Sequence, residues 1–256
     1  MHSLSEMSAE SSANIKALLF DLDGTFITED NLKAGTYNSL ENIKNRGIKT
    51  IAVTGRPAGW CDLIARWWPV DAVIGENGAF TYFKKSNTII RKTFHEFKLQ
   101  KSYQNRLRSL FEDLLSKYDY LKLASDQIFR HWDIAIDIDE EAKVPMDVAT
   151  DIVNFCKERG ANAAISNIHV NIWFGDYNKE HMSLVVLQSL GINKNDVIYI
   201  GDSPNDSPMF GCFPLSVGVS SVSKYSRLME NSPHYITRAD SGKGFSELVN
   251  FILSTR

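Results

Sequence analysis

The chain has 256 residues, 43% of them hydrophobic and 23% charged, with a net charge of −3. That balance excludes intrinsic disorder and collagen-like repeats and leaves room for one large domain or two modest ones. The mild negative charge carries no footprint for nucleic acid, and no apolar stretch approaches the ~20 residues that cross a bilayer.

In chain order, residues 1–14 are polar, rich in Ser and Glu, and lack the cationic start and apolar middle of a secretion signal. They read as a loose tail. The unbroken apolar run Ala17–Phe20 predicts a strand buried on both faces. A helix over Ala34 to Arg46, a strand over Thr50 to Val53, a helix over Pro57 to Trp68 and a strand over Ala72 to Ile74 follow. Strands alternating with helices through short connections predict a parallel α/β sheet. The texture then changes. Phe80 to Phe83 and Thr88 to Lys92 read as a hairpin around Lys84-Lys85-Ser86-Asn87. They precede a helix over Leu99 to Tyr118, a strand over Asp133 to Ile138, a helix over Met146 to Arg159 and a strand over His169 to Phe174. The α/β rhythm resumes with a helix over Lys179 to Leu190 and strands at Val197 to Ile200 and Leu215 to Val219, and two more helices complete the chain. The organisation is therefore an α/β core, residues 15–79 and 176–256, interrupted by an α+β insertion, residues 80–175. Cys61, Cys156 and Cys212 are odd in number and far apart, which argues for a reducing, cytoplasmic setting rather than a disulfide framework or a zinc site.

Asp21-Leu22-Asp23-Gly24-Thr25 directly follows the first apolar strand. Open parallel sheets place ligands at the carboxyl ends of their strands, so both carboxylates would enter that crevice. One acid can attack phosphorus while the other serves the leaving group as acid and base, although Asp-Gly is also a common turn dipeptide. Thr54-Gly55-Arg56 ends the next strand ahead of a helix, where a hydroxyl and backbone N–H groups suit a phosphate or merely cap the helix. Gly201-Asp202-Ser203-Pro204-Asn205-Asp206 repeats the pattern of apolar strand, glycine and acids, and Asp202 would suit the oxygen shell of Mg²⁺. Lys179 opens the helix before that strand, either to neutralise phosphate oxygens or as a solvated surface residue.

In order and spacing, these four segments resemble the motifs of haloacid dehalogenase-like phosphatases. The insertion after the second motif, with Glu76-Asn77-Gly78 just ahead of it, resembles the Cof-type branch, which includes sucrose-phosphate phosphatases; phosphomannomutase shares its architecture. The resemblance implies a Rossmann-like core, a mobile α/β cap and Mg²⁺ as cofactor. It implies Asp21 as nucleophile forming an aspartyl-phosphate and Asp23 as general acid and base, also giving its backbone carbonyl to the metal. Thr54, Gly55, Lys179 and Asn205 would bind phosphate, Asp202 would bind Mg²⁺ together with Asp21, and Asp206 would support them. The implied function is hydrolysis of a small phosphorylated metabolite, foremost a sugar phosphate. A phosphomutase on the same scaffold and a non-catalytic phospho-ligand binder stay open. The expected partner is the small substrate, with neither nucleic acid nor membrane.

In the insertion, alternation puts His169, Asn171 and Trp173 on one strand face, which either looks down on the substrate or meets solvent or the cap helices. Arg130, His131 and Trp132 read as packing and surface charge. Trp60, Ile64 and Trp67 recur at helical spacing and read as core or as contact between cap and core.

Overall fold

The computed structural model describes residues 1–29, 31–86 and 88–255. The chain starts with a short strand β1 (His2–Ser3), a short helix α1 (Ala9–Ala13) and the buried strand β2 (Ala17–Phe20). Next come α2 (Ala34–Asn45), β3 (Lys49–Val53), α3 (Ala58–Trp67), β4 (Ala72–Gly75) and the hairpin β5 (Phe80–Lys85) with β6 (Thr88–Thr93). A second unit follows: α4 (Gln100–Lys117), β7 (Asp133–Asp137), α5 (Met146–Glu158), β8 (Asn162–Ile165) and β9 (His169–Trp173). The chain then completes the first unit with α6 (Lys179–Leu190), β10 (Val197–Gly201), α7 (Ser207–Cys212), β11 (Leu215–Gly218), β12 (Tyr235–Ile236) and α8 (Ser241–Ser254).

The larger sheet has nine strands in the order β1-β12-β11-β10-β2-β3-β4-β5-β6, parallel as far as β4 and antiparallel beyond it. Its centre is apolar because both faces are covered. Leu18 and Phe20 of β2 pack toward α2, α3 and α8, whereas Ala17 and Leu19 pack toward α6 and α7. On the first face Phe20, Phe26 and Phe245 lie within 5.3 Å of one another, centroid to centroid. Such aromatic pairs add ~0.5–1.5 kcal/mol each beyond the area they bury.

The smaller sheet, β7-β9-β8, is antiparallel and forms the cap. Ile134, Ile136, Val170 and Ile172 pack on α4 and α5 through Leu107, Leu114, Ile152 and Cys156. Alternation then sends Asp133, His169, Asn171 and Trp173 to the opposite face, where all four are buried against the larger unit.

Three expectations need correction. Residues 1–14 are not a loose tail: β1 adds to the sheet edge beside β12, and Leu4 and Met7 are buried in the core. Two apolar side chains in a polar stretch are enough to dock it, and the polar majority obscures them in a compositional reading. The hairpin from Phe80 belongs to the larger sheet, since Ile74 pairs with Thr81 and Gly75 with Phe80. The cap therefore begins after Thr93. The turn expected at Lys84 to Asn87 contains Asn87, which lies outside the described residues. Finally, Trp60 and Trp67 are 49% and 75% exposed, because α3 buries Ala58, Cys61, Ile64 and Ala65 instead.

No described helix is long and apolar enough to cross a membrane. Leu4→Ala tests the docking of the N-terminal segment. Truncating a buried leucine costs ~2–5 kcal/mol, so the denaturant midpoint should fall clearly; an unchanged midpoint would restore the loose tail.

Candidate active site

The sheet order places β2 between β10 and β3, with helices leaving to opposite faces on either side. Loops at the carboxyl ends of β2 and β10 diverge there and open a crevice. The register pairs Phe20 with Ile200, and Asp21 N–H donates to Ile200 O at 3.0 Å, so Asp21 and Asp202 emerge beside each other. Gly24 turns the chain away with φ +79°, and an added Cβ would lie 2.4 Å from Asp202 Oδ2 and 2.6 Å from Asn167 Nδ2. Only glycine fits that turn and that contact.

Lys179, the first residue of α6, is fully buried. Its ammonium donates to Asp21 Oδ1 at 2.8 Å and Asp206 Oδ1 at 2.6 Å. Asp206 has no spare capacity. Oδ1 also accepts from the Tyr199 hydroxyl at 2.5 Å, and Oδ2 accepts from the backbone N–H groups of Asp202 and Ser203. Asp202 accepts from Thr25 Oγ1 at 3.0 Å through Oδ1 alone. Asp21 Oδ2 and Asp202 Oδ2 receive no hydrogen bond from the described residues.

The electrostatics follow from that count. Carboxylate oxygens of Asp21, Asp202 and Asp206 lie within 4.8 Å of one another, all buried, against the single ammonium of Lys179. Burial, with repulsion from Asp206 and Asp23, pushes the Asp21 carboxyl up to about 7 despite Lys179. Burial and the neighbouring acids push Asp202 well above the usual carboxylate range. Burial opposes the charge on Lys179, but Asp206 and Asp21 outweigh it and raise its pKa. The excess of buried negative charge and the two open carboxylate oxygens fit a hard divalent cation such as the expected Mg²⁺.

Asp23 lines the same cavity as Asp21 but is held by a different cation. Its carboxylate takes a forked contact from Arg56, with Nε at 3.1 and 3.0 Å and Nη2 at 2.9 Å. Thr54 is buried with its hydroxyl accepting from Arg56 N–H at 3.0 Å, and Gly55 borders the crevice. Asn205 Oδ1 accepts from Ser203 Oγ while its Nδ2 reaches Asn77 Oδ1 at 3.4 Å. Asn77 Nδ2, beside Gly55, and Asn167 Oδ1 are buried polar atoms with no partner among the described residues.

The cap lies directly over these groups. Asp21, Asp23, Gly55, Arg56 and Asn205 from the core, with residues 166–169 and Asn171 from the cap, enclose a cavity of about 10 Å³. That is space for roughly one water. A wider groove of about 380 Å³ runs from Asp23 and Asp202 past Asn167 to Glu29, Lys224 and Tyr225. The polar face of the cap sheet thus overlooks the site, with His169 and Asn171 at the cavity wall.

Ion pairs bind cap to core. Arg56 Nη1 donates to Glu140 Oε1 at 2.8 Å and to Asp126 Oδ2 at 3.4 Å. Arg130, wholly buried, donates to Asp126, to both Asp133 oxygens and to Gly55 O at 2.9 Å. Asn171 Nδ2 donates to Asp133 Oδ2 at 3.0 Å. Glu76 accepts from the N–H groups of Ala58, His131 and Trp132, although burial and Asp133 push its carboxyl up to about 8. Arg130 is therefore an interior ion-pair residue and not surface charge. Sequence reasoning left Arg56, Asp126, Asp133 and Glu140 without roles. Arg56 stood in a recognised motif, but its cap partners lie 70 and 84 positions away and share no pattern with it.

Comparison with known proteins agrees with this geometry. The family profile of haloacid dehalogenase-like hydrolases matches residues 18–107 and 100–246. Phosphoglycolate phosphatase 1 of Saccharolobus solfataricus is 26% identical over 93% of this chain and 96% of its own. Phosphoglycolate phosphatase of Methanococcoides burtonii is 24% identical over 94% and 97%. In structure, the chain is similar to a Thermoplasma acidophilum protein (TM-score 0.73, 17% identity, covering 93% of this chain and 98% of that one). It is also similar to a Synechocystis sucrose-phosphatase solved with sucrose and phosphate (TM-score 0.65, 17% identity, 92% and 97%). The chain belongs to the haloacid dehalogenase-like hydrolases.

The two acids flanking the motif should respond oppositely to removal. Asp206→Ala strips a buried ammonium of one partner and a hydroxyl and two amides of their acceptor, which is expected to cost ~3–5 kcal/mol. Asp202→Asn relieves repulsion, so in chelator its thermal midpoint should match or exceed that of the parent protein. Equal losses from both would contradict the distinction between a saturated and an open carboxylate.

Proposed function

We propose that this protein is a Mg²⁺-dependent phosphatase that hydrolyses a small phosphorylated metabolite through an aspartyl-phosphate on Asp21. The observation that carries the reading is Asp21 itself: one oxygen held by Lys179, the other open toward the cavity, at the end of the central strand. Lys179 orients the carboxylate and offsets charge on the transferring phosphoryl group, since a phosphate dianion otherwise repels an anionic nucleophile. The Thr54 hydroxyl, the backbone at Gly55 and the Asn205 amide supply further donors to the equatorial oxygens. Asp23 protonates the leaving alcohol and then takes a proton from the water that attacks phosphorus, a role typically worth ~10²–10⁴-fold. Asp21 and Asp202, with the Asp23 backbone carbonyl, would hold Mg²⁺. When bound, the metal adds the positive charge that this acidic cluster lacks.

For the substrate we put 2-phosphoglycolate ahead of the sugar phosphate that the sequence suggested. Relatives matching nearly the whole chain bear the name phosphoglycolate phosphatase. Hydrolysis is preferred to phosphoryl return to a sugar because those relatives are phosphatases.

Asp21→Asn keeps the volume and loses the attacking charge, so phosphate release should fall to background while thermal melting changes little. Substantial residual turnover would remove Asp21 from the nucleophile role. Chelation should abolish phosphate release, and added Mg²⁺ should restore it to the parent protein but not to Asp202→Asn. In a panel of 2-phosphoglycolate and hexose and disaccharide phosphates, the highest kcat/KM should belong to 2-phosphoglycolate. A sugar phosphate leading that panel would return the substrate assignment to sugars.

A further inference from the structure

Glu140 occupies an unusual position. Its carboxylate bridges the two domains, with Oε1 on Arg56 Nη1 at 2.8 Å and Oε2 on His169 Nε2 at 2.9 Å. Both donors line the cavity that also contains Asp21 and Asp23. The side chain is not placed by chance. Asp137 holds its loop by accepting from the N–H groups of Glu140, Glu141 and Ala142 at 2.9, 2.9 and 3.1 Å. Two cavity-lining donors from different domains therefore converge on one carboxylate.

We propose that Arg56 and His169 form the subsite for a carboxylate on the substrate's leaving group, and that Glu140 fills this subsite until substrate displaces it. The inference rests on the phosphatase reading above and narrows its substrate class to short phosphorylated hydroxy acids. Charge conservation supports the exchange. One carboxylate replaces another between the same two donors, so His169 keeps its anionic acceptor and Arg56, still paired with Asp23 and Asp126, keeps a partner for the contact that Glu140 vacates. A neutral tail has no charge to exchange and leaves Glu140 on both donors. The strength of the site shows in Glu140 itself, whose carboxyl is held down at about 2 by the His169 hydrogen bond first and by the Arg56 charge after it. His169 and Glu140 both belong to the cap and Arg56 to the core, so the subsite is complete only when the cap is closed. Substrate carboxylate would thereby favour closure over the phosphoryl group.

The test compares kcat/KM for 2-phosphoglycolate and for ethyl phosphate, which has the same length and no carboxylate. Taking their ratio removes effects common to both substrates, including any on Asp23 or on stability. Losing a hydrogen bond to a charged group typically weakens binding by roughly ten- to a hundredfold, so His169→Ala should lower the ratio by about that factor. Glu140→Gln keeps shape but removes the competing charge, and should raise the ratio several-fold. Its turnover of ethyl phosphate also reports that the site has formed. A wild-type ratio well above one that neither variant alters would overturn the subsite and leave Glu140 as a closure contact only. A wild-type ratio near one would instead overturn the substrate reading, and the subsite with it. The two failures are thus distinguishable.

Discussion

Lys179 is a buried ammonium shared between two carboxylates, and the rest of the site is arranged around it. Removing it from water is tolerable only because Asp21 and Asp206 face it within hydrogen-bonding distance. Asp206 is fixed in turn by Tyr199 and by the backbone after β10, so the helix carrying Lys179 is locked to the strand beside β2. One member of the ion pair is a saturated structural acid and the other retains an open oxygen. The same ammonium that ties these elements together also holds the carboxylate proposed as the nucleophile.

A second constraint is the polar contact between the domains. Arg56 serves Asp23 with one edge of its guanidinium and two cap carboxylates with Nη1. Arg130 reaches from the cap to the Gly55 carbonyl, and Glu76 reaches from the core to the cap backbone. Apolar contacts, such as Trp173 stacked on Tyr177, lie alongside. Breaking ion pairs by opening to water costs less than exposing an equivalent apolar core, because separated charges are rehydrated. An interface rich in such pairs suits a cap that must open for substrate and close to exclude water.

Much of this was legible in the sequence because the candidate catalytic residues sit at strand ends, and buried parallel strands announce themselves as apolar runs. Ala17–Phe20 before Asp21 and Val197–Ile200 before Asp202 are such cases. Lys179 was legible as the first residue of a helix, but its pairing with Asp206 was not, since nothing local links residues 27 positions apart. β8 was missed because Asn162-Ala163-Ala164-Ile165 has weak strand preference and is held by pairing with β9. The cap ion pairs escaped detection for a similar reason: Asp126, Arg130, Asp133 and Glu140 look like surface charge until the fold brings them onto one another and onto Arg56. The N-terminal strand was hidden by the polar residues around Leu4 and Met7.

The central claim is covalent transfer to Asp21. Borohydride reduces an acyl phosphate to an alcohol, so rapid quenching into borohydride followed by peptide mass spectrometry reads out the phosphorylated residue. Asp23→Asn with an aryl phosphate is the sensitive condition, because a good leaving group dispenses with the acid while loss of the base slows hydrolysis. The account predicts that the aspartate at position 21 is converted to homoserine only when substrate and Mg²⁺ are present. Reduction at another residue, or steady turnover with no reducible acyl phosphate under this condition, would contradict it.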